Sequence, residues 1–167
     1  PVDKLLTKKI NNLISHRGPD DEGFYFGDNF AFGHRRLSIL DLSQDGHQPM
    51  HYNDRYTIIY NGEVYNYLEL RKELKKEGYS FQSSSDTEVI LAALKFWGFD
   101  NMIARIIGMF AFVIYDTKEE KIYLARDRLG EKPLYYGWQG SGSNKVFLFG
   151  SELKALKKHP QFINDID

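Results

Sequence analysis

The period of the apolar residues changes several times along the chain, and each change predicts an element. Leu5, Leu6, Ile10, Leu13 and Ile14 share one face at helical spacing and stop before Gly18 and Pro19, which predicts an amphipathic helix. From Gly23 to Leu40 short aromatic alternation takes over. Phe24 and Phe26 lie before a Gly27-Asp28-Asn29 turn and Phe30, Phe32 and His34 after it, which predicts a hairpin. Gln44 to Asp54 is rich in Gly, Pro, Asn and Asp and reads as loop. Tyr56 to Tyr60 returns to strand composition and runs into Asn61-Gly62. Two helices follow with capping-box starts, Asn66 with Glu69 and Ser85 with Glu88, and stop at Gly78 and Gly98. Asn101 to Ile107 is a third, short helix.

Met109 to Tyr115 reads MFAFVIY, apolar at both parities, so a strand there has both faces covered. Lys121 to Ala125, Leu134 to Trp138 and Val146 to Phe149 are further strands, separated by the turn-rich DRLGEKP and QGSGSN, and the tail SELKALKKHP reads as helix. No repeat or linker interrupts the chain, so residues 1–167 form one domain of strands flanked by helices.

Composition narrows the function. Apolar residues make up 42% and charged residues 27%, and 22 Lys+Arg stand against 23 Asp+Glu, a net charge of -1 that offers no field to nucleic acid or an anionic membrane. No apolar run approaches the roughly 20 residues that span a bilayer, and PVDKLLTKKINN lacks the features of a secretion signal, so a cytoplasmic location is expected. Cysteine is absent, which removes thiol nucleophiles and thiolate metal sites from these residues.

Several chemistries find no support. His34, His47 and His51 lack the spacing of a zinc helix and read as turn and surface residues; no metal site is expected. No glycine run forms a phosphate loop, the carboxylate pairs sit in polar turns, and no GxSxG elbow occurs. IIYNGEVYN is more informative. Glycine admits close approach of a backbone N–H to a ligand and asparagine adds a neutral donor beside it, as an oxyanion hole requires; a plain Asn-Gly turn between strand and helix is the other reading. In HRRLSILDL one arginine can present a fork to a carboxylate, or form an ion pair with Asp41 or Asp45. Asp86 and Glu88 suit the first turn of a helix through its dipole, and an ammonium-binding role for Asp86 would be additional.

The order of motifs says more than any one of them. HRGPD, HRRLSILD, NGEVYN, SDTEV, GMFAFVIYD, RDRLGEKPLYY and FGSELKAL run in succession from His16 to Leu156. This succession resembles the glutamine-hydrolysing domain of the asparagine synthetase family, class II glutamine amidotransferases of the N-terminal-nucleophile type. The resemblance implies an α+β fold, a four-layer αββα sandwich incomplete here at both ends. It implies that an N-terminal cysteine thiolate attacks the side-chain amide of L-glutamine, forming a γ-glutamyl thioester and ammonia. By the same resemblance Arg36 takes the glutamine α-carboxylate, with Arg35 the lesser candidate. Leu37 and Ile39 line the pocket, Asn61 and Gly62 form the oxyanion hole, Glu63 lies beside the glutamine, and Asp86 pairs with the α-ammonium.

The resemblance further implies a C-terminal synthetase domain that uses ATP and Mg²⁺ to amidate a carboxylate, aspartate or a sugar acid, with no cofactor in the glutaminase domain itself. A homodimer is compatible with it. The family begins with Cys-Gly and a strand, whereas this sequence begins at Pro1 and has no cysteine. The expectation is an internal piece of a ligase, inactive as written. The alternative is a degenerate module that binds glutamine or serves as a scaffold.

Overall fold

A computed structural model describes residues 2–37 and 46–164. Ile39, Asp41 and Asp45 therefore lie outside the described residues. In chain order the elements are α1 (Lys4–Asn12), β1 (Asp21–Phe26), β2 (Ala31–Arg36), β3 (Met50–Tyr52), β4 (Tyr56–Val64), α2 (Tyr67–Lys76), α3 (Asp86–Trp97), α4 (Phe99–Arg105), β5 (Gly108–Asp116), β6 (Lys121–Arg126), β7 (Tyr135–Gln139), β8 (Val146–Gly150) and α5 (Leu153–Leu156). Strand pairings among the described residues are antiparallel. The chain divides into two compact units, Pro1–Leu37 with Pro133–Asp167, and Ser38–Lys132.

The Ser38–Lys132 unit holds a sheet in the order β3-β4-β5-β6. Phe110 to Ile114 of β5 are buried at both parities, as the apolar run predicts. Ile58, Tyr60 and Val64 of β4 enter a core with Leu74 of α2, Ile90 and Leu91 of α3 and Met102 of α4. Each fully buried aliphatic side chain there contributes about 1.5–3 kcal/mol. Near one end of the sheet Arg55 forks onto Asp116 with contacts of 2.9 and 2.7 Å, which holds the buried Asp116 carboxyl below its ordinary range.

Three details of this unit depart from the sequence expectation. The polar stretch before Tyr56 contains a strand, because Met50, His51 and Tyr52 pair with Ile58, Thr57 and Tyr56 around a turn in which Asn53 and Asp54 take φ of 51°. Asn66 does not form a capping box. Its side chain instead donates to the Arg105 carbonyl and accepts from the Ile107 N–H, both at 2.9 Å, stitching the start of α2 to the lead-in of β5. Ser85 does cap α3, accepting the Thr87 N–H at 3.0 Å, but Glu88 reaches past it to the amides of Gln82 and Ser83.

In the other unit Asp3 caps α1 by accepting the Leu6 N–H at 2.9 Å. The predicted hairpin forms as β1 and β2, closed by the Gly27 N–H on the Phe30 carbonyl, where a Cβ on Gly27 would collide with the Phe30 ring. Phe32 packs edge-on against Phe149 of β8. Glu152 gathers His16 at 2.7 Å, Arg17 at 3.4 Å and Lys154 at 3.0 Å. Burial alone would raise its carboxyl, but Lys154 and His16 outweigh that and hold it at about 2. The tail is helical only over Leu153–Leu156, shorter than its composition suggests.

Candidate functional site

The strand that carries Asn-Gly-Glu does not turn there. β4 continues through Asn61, Gly62 and Glu63 to Val64, paired in register with Ala111, Phe110, Met109 and Gly108 of β5. This overturns the plain-turn reading and explains the glycine. A Cβ on Gly62 would run into the Met109 carbonyl oxygen and sit 2.6 Å from the Phe110 Cα, and its φ is 154°. Only glycine lets β4 and β5 approach this closely. Gly108 meets the same constraint from the other strand, where a Cβ would strike the Glu63 carbonyl.

Side chains alternate along a strand. Tyr60 and Val64 point into the helix-covered core, so Asn61 and Glu63 lie on the opposite face. There the Asn61 Nδ2 is buried and has no hydrogen-bond partner among the described residues. An orphaned buried amide costs about 1–3 kcal/mol, and such a cost persists where a ligand satisfies the donor.

Asp86 is the first residue of α3 and is 5% exposed. Its Oδ2 accepts the Tyr60 hydroxyl at 2.6 Å and the Val64 N–H at 2.9 Å, tying the helix start to the end of β4. Burial raises the Asp86 carboxyl above its ordinary value even though Tyr60, Val64 and the first amides of the helix oppose the rise. Burial and the neighbouring Asp86 together push the Tyr60 phenol well up, so it stays a donor at any physiological pH. A buried carboxylate in this condition is short of positive charge.

Arg36 ends β2 opposite Asp21, and its carbonyl accepts the Asp20 N–H at 3.1 Å. Arg35 is committed to Glu22 at 2.8 Å and to the Asn12 side chain. Leu37 is 55% exposed, and Ile39 lies outside the described residues. The structure thus gathers Asn61, Gly62, Glu63 and Asp86 in the Ser38–Lys132 unit, while Arg36 and Leu37 belong to the other. Sequence reasoning missed two participants, Tyr60 and Gln48, whose side chains reach Asp86 and the Tyr60 N–H. Tyr60 looked like core, and Gln48 sat in apparent loop.

Comparisons with known proteins bear on this arrangement. The family described as a glutamine amidotransferase domain matches residues 2–167. The chain is 42% identical over 168 residues to asparagine synthetase [glutamine-hydrolyzing] 3 of Bacillus subtilis (strain 168), covering 99% of this chain and 26% of that protein. It is 46% identical over 174 residues to a putative asparagine synthetase [glutamine-hydrolyzing] 2 of Methanocaldococcus jannaschii, covering 93% and 32%. It thus spans a third or less of the length of these curated relatives. Among solved structures, glutamine phosphoribosylpyrophosphate amidotransferase from B. subtilis, complexed with ADP and GMP, matches with a TM-score of 0.71 at 22% identity, over 92% of this chain and 40% of that one. The expected α+β fold of the N-terminal-nucleophile hydrolase type is borne out by that likeness. Among the described residues no helix is long and apolar enough to cross a membrane.

Proposed function

The chain belongs to the glutamine amidotransferase domain family, and from that premise we propose that it is the glutaminase module of an asparagine synthetase-like ligase. The buried Asn61 Nδ2, without a partner among the described residues, beside the closely packed Gly62 carries the reading. A thiolate attacks the side-chain amide carbon of glutamine, and the carbonyl π electrons move onto oxygen. Asn61 Nδ2 and the Gly62 N–H take up that negative charge, which the ground-state amide lacks. The C–N bond then breaks, ammonia leaves with a proton, and water hydrolyses the γ-glutamyl thioester to glutamate.

Asp86, buried with its carboxyl raised, receives the α-ammonium. Glu63, next to Gly62 on β4, lies beside the substrate. The thiol comes from outside these 167 residues, which contain no cysteine, so the chain by itself turns over no glutamine. The names and lengths of the relatives support transfer of the ammonia to a synthetase module, which would amidate aspartate or another carboxylate. ATP and Mg²⁺ act there. Among the described residues no cluster of three His, Asp or Glu fits the metal, and no step of the hydrolysis runs through it. Glutamate release from glutamine by the full-length, thiol-bearing protein supports the reading, and glutamine binding without release contradicts it.

A further inference from the structure

The backbone polarity of β4 singles out one amide. Phe110 directs both its N–H and its C=O to Asp127, at 3.2 and 2.8 Å, on the β6 side of β5. Its register partner Gly62 therefore turns its own groups away from β5, and so, two residues either side, do Tyr60 and Val64. On that outer edge β3 reaches only to Met50 opposite Ile58. Beyond Ile58 the amides have no strand to pair with among the described residues, and two of the three are taken by side chains. The Tyr60 N–H donates to Gln48 Oε1 at 2.6 Å and the Val64 N–H to Asp86 Oδ2 at 2.9 Å. The Gly62 N–H, between them, donates to no described residue.

Gln48 lies two residues before β3 and is 7% exposed, so its side chain continues the ladder where the strand gives out. We propose that Gln48 is a positioning residue for hydrolysis, whose buried amide oxygen claims the Tyr60 N–H and so fixes the edge of β4 with Gly62 as the open donor. The proposal rests on the glutaminase reading above. Without the Gln48 acceptor, water enters to satisfy Tyr60 and the edge loosens next to Gly62. Transition-state stabilisation suffers, since it depends on a fixed donor, whereas ground-state binding of glutamine does not.

The test uses the full-length, thiol-bearing protein with Gln48→Met, which keeps the volume and removes the acceptor, and Gln48→Glu, which restores an acceptor. The expected result is a roughly tenfold loss of glutaminase kcat in Gln48→Met, with the KM for glutamine within about twofold, and recovery of at least half the lost rate in Gln48→Glu. Unchanged kcat in Gln48→Met, a loss carried by KM, or equal losses in both variants overturns it. Residue-resolved amide hydrogen exchange on the unmutated protein is independent of how the variants fold. The Gly62 amide should exchange faster than those of Tyr60 and Val64, and equal or slower exchange overturns the proposal. If Asn61→Ala abolishes turnover while Gln48→Met does not, Gln48 fails and the glutaminase reading stands. If the unmutated protein releases no glutamate, that reading fails, and amide exchange still decides the edge geometry.

Discussion

Two buried carboxylates flank the same sheet and behave in opposite ways. Asp127, 6% exposed, follows β6 and accepts four backbone amides, from Phe110, Leu129, Glu131 and Lys132, at 2.9 to 3.2 Å. Burial on its own would raise it, but the amide donors outweigh burial and hold it at about 2. Asp86, 5% exposed, has the Tyr60 hydroxyl and the Val64 amide, and burial wins, so its carboxyl is raised. Similar exposure does not make equal carboxylates: at Asp86 burial outweighs the donors, and at Asp127 the donors outweigh burial. Asp127 is electrostatically complete and serves to shape the 127–132 turn. Asp86 keeps a raised carboxyl, which the α-ammonium of glutamine completes on the proposed reading.

The largest expected separation between them lies in stability. Asp127→Ala leaves four amides without their acceptor and should cost about 3 kcal/mol, read as a shift in the urea midpoint with unchanged slope. The KM for glutamine should stay near that of the unmutated protein. Asp86→Asn reverses the pattern. It removes the charge that meets the ammonium and should raise KM about thirtyfold, roughly 2 kcal/mol, while stability holds because an unfavourable buried charge has gone. If Asp86→Asn unfolds the protein with KM unchanged, Asp86 is structural and the contrast collapses.

Acid titration sharpens the same contrast. Asp127 is depressed when folded, so the stability it contributes is present above the unfolded carboxyl value of about 4 and is lost as pH falls toward about 2. Asp86 is raised, so its buried charge costs stability above its folded value, and that cost disappears as it protonates on acidification. An ammonium ligand pulls Asp86 back down, so glutamine affinity should weaken as pH falls through its raised value. Calorimetric affinity that is flat in pH above 4 contradicts this assignment. The smallest effect comes from Tyr60→Phe, which removes a donor opposing the rise. About 1 kcal/mol of stability should be lost, and the acid limb of glutamine affinity should move to higher pH.

Most elements were legible because periodicity reports burial. MFAFVIY, the aromatic hairpin and the glycine-terminated helices α2 and α3 all lie where the pattern put them. What escaped was set by pairing rather than by pattern. Met50-His51-Tyr52 has loop-like polar neighbours, and only the register with Tyr56 to Ile58 makes it a strand. Asn61-Gly62 carries the local signature of a turn, yet β5 offers a continuous partner and the strand runs on. The candidate site was readable as residue types and motif order, through NGE and SDTE. Its supporting contacts were not, since nothing local in Gln48 or Tyr60 reports that their side chains meet a β4 amide and a helix-start carboxylate.

On the proposed reading, Asn61 keeps a buried donor unsatisfied to stabilise the oxyanion of glutamine hydrolysis. Steady-state glutaminase kinetics of Asn61→Ala in the full-length, thiol-bearing protein test it most directly. The expected result is a fall in kcat of about 10²–10³, some 3–4 kcal/mol of transition-state stabilisation, with little change in KM. An unchanged kcat would contradict it.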